Sequence, residues 1–206
     1  TVGVYGKISQ CQVIGTESEV TILRGGLNFG ALNVTGASST LTASGCVFEY
    51  IKAVTATLSY STVLNGEFTT LNTSTVCAIS DIGAVTLVMS GSRNSLKDAY
   101  ISGTSTFSGD GVVSGCSLIG ASTVSGSYTI FGIKTNANMT INNAAAQTYG
   151  CVLRDSYVNG QLNIFGYTKV KVDAVSVVNL NLSLTAGYVL LDDVQMSGSL
   201  LGGNPI

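Results

Sequence analysis

The sequence predicts an all-β protein, a β-solenoid (parallel β-helix) with roughly 17–18 residues per turn, forming one domain over residues 1–206. Three observations carry this. Helical periodicity is nearly absent: only Ala144-Ala145-Ala146-Gln147 favours a helix, and Asn142, Asn143 and Gly150 bound it closely. Strand-like runs are everywhere, among them Val20-Thr-Ile-Leu, Tyr60-Ser-Thr-Val-Leu, Val85-Thr-Leu-Val-Met and Lys169-Val-Lys-Val-Asp-Ala-Val, each short and closed by Gly, Ser, Asn or Asp. The third is an internal repeat.

The repeat is marked by cysteine. Cys11, Cys46, Cys77, Cys116 and Cys151 are separated by 35, 31, 39 and 35 residues. Two positions after each stands a large apolar residue: Val13, Phe48, Ile79, Leu118 and Leu153. The three middle copies add Val54-Thr55, Val85-Thr86 and Val124-Ser125, eight and nine positions on, and Gly45, Gly115 and Gly150 precede three of the five cysteines. A unit of about 35 residues made only of short strands corresponds to two solenoid turns, with Cys and Val in an interior ladder. At about 4.8 Å per turn the chain would make about eleven turns, a rod of about 55 Å. Loop insertions are expected to explain the uneven spacing. A jelly-roll or β-sandwich stays open as the alternative, because neither demands regular spacing.

Composition narrows the function. Charged residues make up 10% of the chain, with 9 Lys and Arg against 11 Asp and Glu, so no basic surplus is available for nucleic acid. Histidine is absent, which excludes imidazole chemistry. The beginning, Thr1-Val-Gly-Val-Tyr, shows no basic segment followed by an apolar run, so no signal peptide is visible. In the apolar stretch from Ala174 to Leu191, Asn179, Asn181 and Ser183 alternate with Val178, Leu180, Leu182 and Leu184, a strand pattern that predicts no membrane insertion. Five cysteines, an odd number, read as reduced and buried thiols rather than a disulfide framework.

The search for chemistry assigns no catalytic, cofactor-binding or metal-binding residue. Glycoside cleavage needs two carboxylates about one bond. The acids are scattered; Glu17 and Glu19 share one strand face, and Asp192 and Asp193 are expected on opposite faces. Stacked turns could bring Asp155 near Asp173 or Asp193. A cysteine nucleophile lacks its base, thiolate metal ligation lacks close pairs, and Asp110-Gly111 lacks the flanking acids of a calcium loop. No cofactor is expected. T-x-T pairs at Thr40/Thr42, Thr55/Thr57, Thr73/Thr75 and Thr104/Thr106 could order water if they stacked. The N-x-S/T matches at Asn33, Asn72, Asn138 and Asn181 are expected by chance in this composition. Tyr149, Tyr157 and Tyr167 gather near Phe165, where they could meet carbohydrate or protein.

The segments Leu32-Asn-Val-Thr-Gly, Thr104-Ser-Thr-Phe-Ser-Gly and Ser122-Thr-Val-Ser-Gly-Ser alternate apolar residues with Ser, Thr and Gly over about the central half of the chain. In this the sequence resembles the shaft and β-helix segments of bacteriophage tail fibres, tailspikes and head-decoration proteins. It departs from catalytic tailspikes in being short and poor in acids. The resemblance implies a non-enzymatic structural protein of the virion, made in the host cytoplasm: a fibre, spike or capsid-decoration subunit that stabilises the particle or presents a receptor-binding surface. Its expected partners are copies of itself, as a trimer, other virion proteins and host-surface carbohydrate. Two other readings stay open: a surface adhesin or ice-binding solenoid, and a polysaccharide-degrading tailspike that would lose activity on Asp155→Asn or Asp193→Asn.

Overall fold

Parallel pairing decides between the candidate architectures. The computed structural model describes residues 7–13, 19–22, 28–142 and 150–202, and every strand pair within them is parallel. A jelly-roll or sandwich would need antiparallel neighbours; the chain is a right-through stack of turns, a β-solenoid. One column of outward residues runs through it as Gln12, Asn33, Lys52, Glu67, Gly83, Tyr100, Ser117, Lys134 and Tyr157, each paired to the next. The turns so defined hold 21, 19, 15, 16, 17, 17, 17 and 23 residues. Ser176 and Gln195, beside Tyr157, extend the column by two steps of 19. Ten turns at the strand spacing make a rod of about 48 Å.

Each turn has three faces. The first is the run that includes Val47–Glu49, the second the run at Lys52 and Ala53, and the third the run at Thr55–Ser59. The strand Val47–Ser59 passes through all three without a break, and Cys151–Met196 winds on in the same way for 46 residues. Alternation places Val34, Ala53, Phe68, Ala84, Ile101, Leu118, Thr135 and Val158 directly above one another inside, all buried. Phe29 stacks on Phe48 with centroids 5.2 Å apart, and Phe107 meets Tyr128 edge-on at 5.6 Å.

The corner between the first and second faces is a column of residues in left-handed conformation: Asp81, Asp98, Gly115, Gly132, Asp155, Ala174 and Asp193. At such a residue the in–out alternation breaks, so consecutive side chains both face solvent. Asp192 and Asp193 are therefore both exposed, not split between faces as expected from a regular strand. The corner before the first face uses Gly45, Tyr60, Val76 and Arg93 in the same conformation.

These two corners explain the cysteine spacing. Cys46, Cys77 and Cys151 follow the corner before the first face, whereas Cys11 and Cys116 occupy the position after the next corner, five residues on. From Cys46 to Cys77 is two turns of 15 and 16 residues in one column; from Cys77 to Cys116 is two turns of 17 plus the five-residue offset. The offset, not loop insertion alone, produces the range from 31 to 39. It also separates Val54 and Val85, which face outward, from Val124, which is buried. The cysteines do not form an unbroken ladder: Ser61 lies between Cys46 and Cys77 and accepts the Cys46 N–H at 3.3 Å, and Asn94 accepts the Cys77 N–H at 3.1 Å. The Ala144–Gln147 stretch falls outside the described residues, as does Glu17.

Serine has a structural use at the ends of the third-face strands. Ser74, Ser90 and Ser108 each donate both backbone N–H and hydroxyl to one carbonyl of the preceding turn, those of Leu58, Thr73 and Met89. Where turns approach most closely, glycine stands on glycine: a Cβ at Gly109 (φ +100°) would strike the Gly91 carbonyl.

Two substitutions test this packing by urea denaturation. Gly109→Ala is expected to cost about 3 kcal/mol or more, from backbone strain and the clash with the turn beneath. Thr73→Val is expected to gain about 1 kcal/mol, because the buried Thr73 hydroxyl has no hydrogen-bond partner; no gain from Thr73→Val would mean that hydroxyl is satisfied in solution.

Candidate carbohydrate-binding groove

The second and third faces meet at an inside angle, and the bend leaves a groove running along the rod. It opens most widely around Lys52, Glu67, Gly83 and Tyr100 on one wall and Val54, Thr69, Val85 and Ser102 on the other, a cavity of about 410 Å³. Further along the same column, Tyr157, Ser176, Val178, Gln195 and Ser197 line a second cavity of about 250 Å³. Both belong to one longitudinal feature, because both use the outward column described above.

Its walls combine apolar surface with a few polar groups, the composition of small-ligand and sugar sites. Lys52 Nζ donates to Glu67 Oε2 at 2.6 Å. This pair is exposed, so it adds little to stability, and Glu67 pushes the Lys52 amine above its ordinary value. Gly83 follows Glu67 in the column and leaves a gap: a Cβ there would meet nothing within 4 Å. Tyr100, 54% exposed, forms the far side of the gap. Three turns on, about 14 Å at the strand spacing, Tyr157 repeats the exposed ring.

The winding gathers carboxylates that the sequence scatters. Asp155 and Asp193 stand in the same corner column with Ala174 between them, at steps of 19 residues. They lie two turns apart, about 10 Å along the axis, and each precedes by two residues a residue of the groove column, Tyr157 and Gln195. Asp155 accepts from Arg154 Nη1 at 2.9 Å, and the Arg154 guanidinium rests 4.7 Å from the centre of the Phe131 ring. Asp173, on the intervening turn, accepts from Lys171 Nζ at 2.7 Å. That bond raises the Lys171 amine above its ordinary value, and the charge of Asp192 adds to the effect.

The remaining sequence candidates separate. Tyr157 and Phe165 sit on different faces, Tyr149 and the side chain of Tyr167 lie outside the described residues, and no single aromatic cluster forms from Tyr157 and Phe165. Of the T-x-T pairs, Thr40/Thr42 and Thr55/Thr57 stack directly, but Thr73 points inward. Asn138 Oδ1 accepts the Gln161 N–H at 2.9 Å, and Asn181 donates to Asn163 at 3.2 Å, so these asparagines serve the stack itself. Cys46, Cys77, Cys116 and Cys151 are free and buried. Burial pushes the Cys116 thiol up to about 11 and the Cys151 thiol up to about 12. Among the described residues no group of three or more His, Cys, Asp or Glu could hold a metal ion, and no helix is long and apolar enough to cross a membrane.

Comparison with known proteins gives one informative similarity. Over 155 residues, 73% of this chain, the sequence is 26% identical to a capsule KN4-specific depolymerase of Klebsiella phage KN4-1. The chain spans 18% of that relative's length. No protein family's sequence profile matches the chain, and no solved structure does. The solenoid and this similarity together fit the resemblance to phage β-helical proteins. The expectation that the chain is no enzyme is corrected: the relative is named for an enzymatic activity, which points against it. The scattered acids misled that expectation, because residues 38 apart in sequence, such as Asp155 and Asp193, share one corner of the fold.

The thiols make stability depend on alkaline pH. Their values in the folded protein stand above the ordinary 9.0, so the unfolded chain loses its thiol protons first as pH rises. The stability they contribute is complete below about pH 9 and is lost as pH rises through about 11 to 12. The urea midpoint is therefore expected to be flat from about pH 6 to 8 and to fall above about 9, and Cys151→Ala should make that fall shallower.

Proposed function

We propose that this chain is part of a phage tailspike-type β-helix that engages host capsular polysaccharide along its groove and cleaves it. The observation that carries the reading is the longitudinal groove with exposed Tyr100 and Tyr157 and a carboxylate pair on its rim; the capsule-specific depolymerase relative supports the substrate class. A polysaccharide presents repeated apolar sugar faces and hydroxyl edges. Tyrosine rings receive the first, and Glu67, Ser117 and Gln195 can bond the second.

Asp155 and Asp193 are the proposed catalytic pair. Their axial separation of about 10 Å is close to the roughly 6.5–9.5 Å at which two carboxyl groups leave room for a water between them and the sugar. One carboxylic acid would protonate the glycosidic oxygen as its bond to the anomeric carbon breaks. The other would take a proton from the attacking water, whose oxygen bonds to that carbon, so a hydroxyl and a new reducing end are released. The protein works in the virion as a homo-oligomer, three copies about a common axis.

Release of reducing ends from purified capsular polysaccharide tests the reading. Asp155→Asn and Asp193→Asn are each expected to lower the rate by about 100-fold or more without changing the thermal midpoint. Gly83→Leu should leave stability unchanged, since nothing crowds that position, yet fill the gap and weaken polysaccharide binding by about 10-fold. Tyr100→Ala should raise KM by a similar factor. Cleavage that survives both Asn substitutions would move the chemistry elsewhere, and a Gly83→Leu protein with unaltered binding would remove the groove from the site.

A further inference from the structure

Charge is segregated around the rod. Every charged residue from Thr40 to Asn181 stands on the first two faces or at a corner; the third face carries none. Its central column runs Thr42, Thr57, Asn72, Val88, Thr106, Thr123 and on through Thr140 and Asn163 to Asn181, with Thr40, Thr55, Thr70 and Thr86 beside it. The strip is about 38 Å long at the strand spacing and about 13 Å wide.

We infer that this uncharged face is where copies of the chain associate, side by side and parallel, each turn against the same turn of its neighbour. The inference rests on the reading of the protein as a homo-oligomer and names the surface. In rotational symmetry about an axis parallel to the rod, identical residues meet at identical heights. Lys52, Glu67, Lys97 or Arg154 would then each face its own copy, and a like pair about 5 Å apart costs about 3 kcal/mol at an effective dielectric of 20. The third face alone avoids this. Its side chains are also self-complementary, because a Thr or Ser hydroxyl and an Asn amide both donate and accept hydrogen bonds, whereas Lys only donates and a carboxylate only accepts. Docking by this face leaves the corner with Asp155 and Asp193 uncovered. The strip offers about 500 Å² per contact, at the low end for stable complexes, so association should be reversible and concentration-dependent.

Sedimentation equilibrium over a wide concentration range tests it, with Thr57 as the probe because it is exposed, lies off the centre of the strip and touches no core residue. The wild-type chain should self-associate, and Thr57→Lys and Thr57→Asp should each shift the dissociation constant upward by about 100-fold or more while far-UV circular dichroism stays unchanged. An equimolar mixture of the two variants should recover much of the association, since position 57 meets position 57. A wild-type chain that stays monomeric throughout would overturn the oligomeric reading itself. Oligomers that persist in both variants would keep that reading and overturn the face. Variants that dissociate but do not restore each other would overturn the parallel, same-turn arrangement. A monomer that loses binding to soluble capsular polysaccharide on Thr57→Lys would give the face to carbohydrate instead.

Discussion

Parallel hydrogen bonding between one turn and the next is the constraint from which the rest of this protein follows. Each backbone group finds its partner one turn away, at a spacing of about 4.8 Å, so side chains at one position of the cross-section must stack on their own kind. Inside, this demands apolar or self-pairing residues, met by the column from Val34 to Val158 and by Ser105 and Ser122, whose hydroxyls bond at 2.8 Å. At the tightest corner only Gly91 and Gly109 let two backbones approach. Outside, the same rule stacks like on like, which is tolerable for Thr and Ser and awkward for charge. Sparse charge follows from the architecture as much as from any function.

Where the constraint is relaxed, chemistry can gather. The corner between the first and second faces tolerates Asp as well as Gly, because a short polar side chain can occupy the left-handed region, and it sits beside the inside angle that forms the groove. Asp155 and Asp193 share that corner, with Arg154, Lys171 and Asp173 interspersed so that opposite charges alternate along the stack. A rigid rod thus presents tyrosines, carboxylates and a gap at Gly83 in fixed axial register, which is the geometry that an extended polymer of repeating sugars can read. The uncharged third face, by contrast, offers uniform hydroxyls and amides without a pocket, which suits flat contact with an identical surface.

The cysteine repeat shows how a correct inference can rest on a partly wrong reason. A recurring unit near 35 residues does correspond to two turns, and Cys46, Cys77, Cys116 and Cys151 are buried. Yet the cysteines occupy two different corners five residues apart, and Ser61 and Asn94 interrupt their columns. A buried position just after a left-handed residue accepts Cys, Ser or Asn about equally, since each is small and can serve a neighbouring backbone group. Similar local demands at two corners wrote similar local sequences, and only the register tells them apart.

The amino-acid sequence by itself determined the class of structure: β-branched and small residues without helical periodicity, a repeat of two turns, thiols without a base, and too little charge for nucleic acid. These are local or compositional properties, and they survive any arrangement of the chain. Which residues meet was decided only by winding. Turn length varies from 15 to 23 residues, so the sequence separation between stacked partners has no fixed value to search for. That is why Asp155 and Asp193 looked unrelated, why the Thr57 column was seen only in part, and why the groove had no signature at all. A groove is a relation between two faces, and the angle between them is set by where each turn bends, which depends on the turns packed above and below it.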